Sequence, residues 1–270
     1  MIKLVEIIFL ISLLCTTYLH CQSTNNKSIQ IDEELSIKEI DTNIFLVSHS
    51  FPWQSNSLVI KFKNGKYLFI DTPSTNEATE KLVNWFAVRD SVKMKVTVIN
   101  THFHNDRLGG NGYFNKIGST IYGSDLTDKL LKERGLGTGM LDSYKNINME
   151  KYYDYWQNAK LTPPNKLFSL KNGLVLTFDN DTFEVYYPGP GHTPDNVVVY
   201  YPKKNILFGG CIIKSIGANS KGFIGDADLT NWYSSLNNIL NKYPDATLVI
   251  PGHGEIGGNE LITHTMEIVK

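Results

Sequence analysis

His102, His104 and Asp106 fall at alternate positions of the run His102-Phe-His104-Asn-Asp106-Arg107. Imidazole and carboxylate are the donors that bind zinc, and packed together without an ion they make a poor core. The run directly follows Met94-Lys-Val-Thr-Val-Ile-Asn100, which reads as a strand. Side chains at i and i+2 of an extended segment point the same way, so His102 and His104 can share one ion. Asp106, just beyond the strand, can turn toward a neighbouring ion. A divalent cation held this way gives hydrolytic chemistry a hydroxide at neutral pH. The chemistry expected of such a run is that of a zinc hydrolase.

Further donors stand in loops after apolar strands. Phe183-Glu-Val-Tyr-Tyr-Pro188 leads into Gly189-Pro-Gly-His192-Thr-Pro-Asp-Asn196, Asn205-Ile-Leu-Phe208 into Gly209-Gly-Cys211, and Ala246-Thr-Leu-Val-Ile250 into Pro251-Gly-His253-Gly254. The glycines let backbone approach closely and aim a donor at a fixed point. A single His in a Gly-Pro loop is an ordinary hydrogen-bonded residue, and a single buried Cys is a small hydrophobe. Together, four His, one Asp and one Cys at strand ends suffice for two four-coordinate zinc ions, with water in the remaining places. His49, placed near a loop rim, His264 on the last helix and His20 near the N-terminus have no such company and read as non-ligands.

Those loops need elements to aim them. Asn43-Ile-Phe-Leu-Val47, Ser57-Leu-Val-Ile-Lys-Phe62 and Tyr67-Leu-Phe-Ile70 read as strands separated by turn residues such as Asn64-Gly65. Glu77 to Val88 reads as a helix with Leu82, Trp85 and Phe86 on one face and Ser74 or Thr75 near its cap. Leu126 to Arg134 and the Tyr- and Trp-rich stretch from Asn146 to Asn158 are further helices, and Leu174-Val-Leu-Thr-Phe178 begins a second group of strands. Leu229, Trp232, Leu236, Ile239, Leu240 and Tyr243 form a helical stripe expected to be ordinary core, and Glu260 to Val269 closes the chain as a helix. The order of these elements predicts an α/β sandwich of two similar halves.

Composition fits an exported enzyme. The 270 residues, 41% hydrophobic, suffice for one large core or two fused half-domains. A formal net charge of −1 argues against a nucleic-acid partner. Met1-Ile-Lys3, the apolar run through Leu14 with Glu6 inside it, and the polar stretch from Gln22 read as a signal peptide over residues 1–21. Residues 22–270 are then one exported, periplasmic domain with no stable membrane span, since the apolar run is too short to cross a bilayer. Tyr18-Leu-His20 is a poor approach to a lipidated Cys21, so a lipid anchor is not expected. Cys15 and Cys21 leave with the leader or lie at its edge, so Cys211 is the one thiol of the mature body, without a disulfide partner. An unpaired thiol persists in an oxidising compartment when it is buried or metal-bound.

The sequence resembles the metallo-β-lactamase superfamily, and within it the class B β-lactamases, from about Ile40 to the C-terminus. The superfamily pattern is His-x-His-x-Asp-His. Here Arg107 replaces its last His, and Cys211 stands where one subclass places a Cys ligand instead. Gly-His192-Thr-Pro-Asp-Asn, Gly-Gly-Cys211-Ile-Ile-Lys214, Gly225-Asp-Ala-Asp228 and Pro-Gly-His253-Gly-Glu all look like that subclass. The resemblance implies a four-layer αβ/βα sandwich with the metal site at one edge between the two sheets. It implies two Zn2+ per chain, the first on His102, His104 and His192, the second on Asp106, Cys211 and His253. It implies hydrolysis of the β-lactam amide of penicillins, cephalosporins and carbapenems by metal-bound hydroxide, conferring antibiotic resistance, in a monomer whose partner is a small molecule. Asp106 would orient the hydroxide or take part in proton transfer, and Lys214 would grip the substrate carboxylate. Arg107 and Asp71 would hold the ligands from behind. No covalent acyl-enzyme is needed, and no Ser-x-x-Lys motif of the serine β-lactamases is present.

Two departures bear on substrate choice. Relatives commonly carry an Asn where this chain has Phe223, so an amide contribution is absent or moved to Asn219. The substrate-covering hairpin, Ser48-His-Ser-Phe-Pro-Trp53-Gln-Ser-Asn56, is short for the family, with Phe51 and Trp53 as its apolar cover. Lactonases and thioesterases of the superfamily share the His cluster but normally need the His that Arg107 replaces. A non-catalytic zinc-binding or surface-binding protein would tolerate loss of an open coordination position, yet all six donors stand here.

Overall fold

Near-continuous apolar runs such as Leu58-Val-Ile60 and Tyr67-Leu-Phe-Ile70 suit strands covered on both faces, where every side chain is buried. The computed structural model describes residues 27–146 and 149–270; the leader expected over 1–21, with Cys15, His20 and Cys21, lies outside the described residues. Among those described, one sheet runs in the order β1 (Ile29–Gln30), β2 (Leu35–Asp41), β3 (Ile44–Ser50), β4 (Gln54–Lys61), β5 (Lys66–Ile70), β6 (Lys95–Ile99), β7 (Thr120–Ser124) and β8 (Lys166–Phe168). It is antiparallel through β5 and parallel from β5 to β8. The second sheet comprises β9 (Leu174–Phe178), β10 (Asp181–Tyr186), β11 (Val198–Tyr201), β12 (Ile206–Gly210) and β13 (Leu248–Pro251), with β12 and β13 parallel and the other pairs antiparallel.

Alternation along each strand sends neighbours into different cores. Leu58, Ile60, Leu68, Ile70 and Ile99 meet Phe183, Val185, Val199, Phe208 and Ile250 between the sheets. Val59, Tyr67, Phe69 and Val98 face the other way, onto Leu82, Val83 and Phe86 of α1 (Asn76–Asp90). Val198, Leu207 and Val249 pack against α7 (Trp232–Lys242) and α8 (Glu260–Val269) through Trp232, Leu236, Ile239 and Leu261. The result is helix, sheet, sheet, helix: the four-layer αβ/βα sandwich expected. Thr75 caps α1, its side chain accepting from Ala78 N at 3.1 Å.

Three expectations about elements are corrected. The extended run before the first donors stops at Ile99, so His102 and His104 occupy a bend and the N-cap of the short helix α2 (Asn105–Leu108), not a strand. The helix expected from Asn146 begins at Glu150 as α6 (Glu150–Asn158), and a separate α5 (Met140–Asn146) precedes it. Leu229 lies ahead of α7 and is 45% exposed rather than part of its buried stripe. The remaining helices, α3 (Asn111–Lys116) and α4 (Asp125–Arg134), lie between β6 and the α5–α6 pair.

Candidate metal centre

The first donors are aimed by a turn pinned from below. Beyond β5, Asp71 takes a left-handed conformation (φ 60°) and is fully buried. Its carboxylate accepts from Thr101 N at 2.7 Å and Thr101 Oγ1 at 2.8 Å. From the second half of the chain, Val197 N donates to Thr101 O at 2.9 Å. Held at both sides, Thr101 sends His102 and His104 into the junction between the sheets.

His102, His104 and His192 form a nearly equilateral triangle. Their ring centroids lie 4.9, 5.1 and 5.1 Å apart, with interplanar angles of 75°, 84° and 90°. One nitrogen of each lies within 4.8 Å of the others. His102 Nε2 and His192 Nδ1 are buried without a hydrogen-bond partner among the described residues, a costly state that a cation would relieve. Burial holds His102 and His192 well below the usual imidazole range, which keeps them neutral, the form that ligates metal. His104 Nε2 pairs with Asp226 Oδ2 at 3.0 Å, leaving its other ring nitrogen for the centre.

Asp106, Cys211 and His253 converge beside the triangle. His253 Nε2 is 3.1 Å from Asp106 Oδ2 and 3.2 Å from Cys211 Sγ, which is 3.5 Å from the same carboxylate. Donors around a tetrahedral zinc ion with ordinary bond lengths sit about 3.4–3.6 Å apart, so the trio matches that spacing to within a few tenths of an ångström. His253 Nδ1 lies 2.6 Å from Gln54 O, which turns Nε2 toward the trio. Burial disfavours a charged His253, but Cys211 and Asp106 beside it push its pKa up to about 9. A Cβ at Gly252 would come 2.7 Å from Cys211 Sγ, so only glycine lets this loop pass so close. Ligand atoms of His102, Asp106 and Cys211 also lie within 4.8 Å of one another, so the two donor sets adjoin.

Arg107 does not join either set; it braces them. Fully buried, it donates to Asp106 Oδ2 from Nε (3.1 Å) and Nη2 (2.7 Å), to Gly252 O at 2.8 Å and to Asn56 O at 2.7 Å, and lies 3.4 Å from Asp71. Burial alone would raise the Asp106 carboxyl; the guanidinium beside it instead holds it well below the carboxylate range. Burial pushes Asp71 up to about 7 against the pull of Arg107 and Thr101.

The sequence profile of the metallo-β-lactamase superfamily matches residues 50–253. Over 251 residues, the chain is 35% identical to a Bacteroides fragilis protein named metallo-β-lactamase type 2, covering 90% of this chain and 89% of that one. The chain belongs to the metallo-β-lactamase superfamily. A Pseudomonas aeruginosa protein of the same name is 36% identical over 241 residues, covering 87% of this chain and 84% of its own. A solved metallo-β-lactamase from Pontibacter korlensis superposes with a TM-score of 0.74 at 29% identity, over 87% of this chain and 99% of that one.

In this superfamily member a cavity of about 350 Å3 opens beside both donor sets, lined by His104, Asp106, His192 and His253. Phe51, Trp53, Lys214, Asn219 and Phe223 also line it. Trp53 is 45% exposed and stacks on Tyr144 at 5.3 Å, whereas Phe51 turns into Tyr152, Tyr155 and Trp156 of α6. Lys214 is buried in the turn after Cys211, its ammonium 5.3 Å over the Trp232 ring. Burial lowers its pKa, opposed by Cys211 and Asp106. His49 is not at a rim: it is buried on β3, where Nδ1 accepts from Ser74 N at 3.0 Å and burial lowers its pKa to about 4. His264 pairs with Ala218 O at 2.8 Å, away from the donors.

Sequence reasoning passed over Asp226, although Gly225-Asp-Ala-Asp228 was a marked motif. Besides His104, it accepts from Arg134 Nη1 at 2.9 Å, Thr138 N at 2.9 Å and Thr138 Oγ1 at 2.7 Å. These bonds hold its carboxyl well below the usual range despite burial. Gln54, Met140 and Tyr144 were also missed; Tyr144 sits on α5, which hydrophobic spacing did not disclose. Arg107→Ala is expected to destabilise the fold by about 3–5 kcal/mol, because it strands buried carboxylates. Urea unfolding checks this, and a loss below ~1 kcal/mol would show that Arg107 is not the brace described.

Proposed function

We propose that the protein is a dizinc hydrolase that opens the β-lactam amide of penicillins, cephalosporins and carbapenems and so confers antibiotic resistance. One observation carries the reading: Arg107 occupies the place of a histidine ligand while Cys211 Sγ stands 3.2 Å from His253 Nε2 and 3.5 Å from Asp106. The curated relatives named metallo-β-lactamase type 2 support the same substrate class. His102, His104 and His192 would hold the first zinc, and Asp106, Cys211 and His253 the second. Zinc, when bound, supplies a nucleophile from water at neutral pH and Lewis-acid polarisation of a carbonyl.

The chain's own groups do the rest. Asp106, fixed by two bonds from Arg107, orients the nucleophile or moves its proton. Lys214, a buried cation in the cavity wall, would bind the substrate carboxylate as a charge-assisted pair. Trp53 would form the apolar cover over the bound nucleus, with Phe51 lining the cavity from its packed place against the Tyr- and Trp-rich helix and Asn219 at the rim. Asp226 and Gln54 keep His104 and His253 from rotating. No described helix is long and apolar enough to cross a membrane, and we place the mature protein in the periplasm as a monomer after loss of residues 1–21.

Hydrolysis of a penicillin, a cephalosporin and a carbapenem should proceed with the zinc-loaded protein and stop with chelator; turnover that resists chelation excludes this chemistry. Zinc content should fall from two ions per chain to about one in Cys211→Ser; unchanged stoichiometry removes Cys211 from the ligands. Lys214→Ala should raise KM about 10–100-fold with kcat little altered, and an unmoved KM takes Lys214 out of the substrate pocket.

A further inference from the structure

The cavity beside the candidate metal centre carries a contiguous apolar wall that the proposed chemistry does not use. Met140, Tyr144 and Phe223 line it and belong to one hydrophobic cluster. The Phe223 ring stands edge-on to His104, with centroids 5.5 Å apart at 74°, so whatever rests on Phe223 lies next to the first donor set. Its position is built in. The ring folds over Gly225, where a Cβ would come 2.5 Å from Phe223 Cζ and 2.3 Å from Thr138 O. Thr138 in turn grips Asp226 through both its amide and its hydroxyl, at 2.9 and 2.7 Å. The segments carrying Met140 and Phe223 are therefore locked to each other through Thr138 and Asp226 before any ligand arrives. The Tyr144 hydroxyl is paired with Asn105 Nδ2 at 3.1 Å. Met140 and Tyr144 are themselves buried, with Trp53 stacked on the Tyr144 ring at 5.3 Å, so they back the half-buried Phe223 ring, a surface that favours a flat aromatic partner. A preformed apolar surface binds such a group without the cost of ordering itself.

We propose that Phe223, backed by Met140 and Tyr144, forms an aryl-binding subsite that selects β-lactams whose acyl side chain ends in an aromatic ring. The inference rests on the β-lactam reading above for its substrate, but the wall itself recognises the ring and can be tested by binding alone. Two ring-opened penicillins, one with a phenylacetyl and one with an acetyl side chain, carry the same charges and differ only in the ring. Titrated into zinc-loaded protein with intrinsic tryptophan fluorescence as readout, the phenylacetyl compound should bind at least about tenfold more tightly. Phe223→Ala should shrink that preference to less than about threefold while leaving zinc content and acetyl-compound affinity unchanged. Phe223→Leu, which keeps an apolar side chain without the ring, should fall between the two and guards against a folding defect in the alanine variant. Equal affinity for the two compounds in the wild type, or an unchanged preference in both variants, overturns the subsite. Ring-selective binding by a protein that opens no β-lactam would sink the hydrolytic reading and leave the aryl subsite standing.

Discussion

The site depends on one buried cation. Arg107 ties the carbonyl of Asn56 on β4, the carboxylate of Asp106 on α2 and the carbonyl of Gly252 after β13 to a single planar group, with Asp71 after β5 beside it. Asn56, Asp71 and Asp106 belong to the half built on the first sheet and Gly252 follows a strand of the second, so the guanidinium crosses the junction where the halves meet. Lysine would not serve, because an ammonium is a point donor and cannot reach partners in several directions from a rigid fork. Removing the charge would leave the fully buried Asp71 with only its Thr101 hydrogen bonds and would drive its carboxyl, already pushed up to about 7, further toward the neutral form. The replacement of a metal-binding histidine by arginine thus changes more than a ligand: it converts a donor position into the brace that sets the distance between Asp106 and the His253 loop.

The packing layers explain why that brace can be so small. Strands β4, β5, β12 and β13 are covered on both faces, and their alternating side chains lock the register of the loops they carry. Trp232 shows the continuity from core to site. Fully buried in α7, it donates from Nε1 to Ile212 O at 2.9 Å, stands 5.8 Å from the His192 ring and underlies the Lys214 ammonium. One core residue therefore helps to fix the turn after Cys211, a candidate ligand and the candidate substrate cation.

What was legible in the sequence follows from range. Donor identity and the placement of donors after strands are local properties, visible in the His102-to-Asp106 run and the Gly-His192, Gly-Cys211 and Gly-His253 loops. The convergence of His102 and His104 was expected for the wrong reason: strand alternation does not operate beyond Ile99, and the bend pinned by Asp71 and Thr101 does that work. Asp226 stayed hidden because its partner His104 is remote in sequence and no periodicity links them. The break between α5 and α6 was missed because Tyr- and Trp-rich stretches satisfy helical spacing without marking where one helix ends. Lys214 shows the same limit, since nothing local distinguishes a solvated lysine from one buried over an indole ring.

The two donor sets differ in charge, and that difference organises the cavity. His102 and His192 are kept neutral by burial, so their set cancels little of a divalent ion's charge. The other set contains Asp106, held ionised by Arg107, and His253, whose side chain is 40% exposed. The triangle's own anion is Asp226, held ionised 3.0 Å from His104 Nε2, and the Phe223 ring packs beside the same histidine. Within the Asp106 set only His253 is substantially exposed; Cys211 is buried and the Asp106 side chain is mostly covered. Phe223 both lines the cavity and packs on His104, so one side chain joins the choice of substrate side chain to the neighbouring centre.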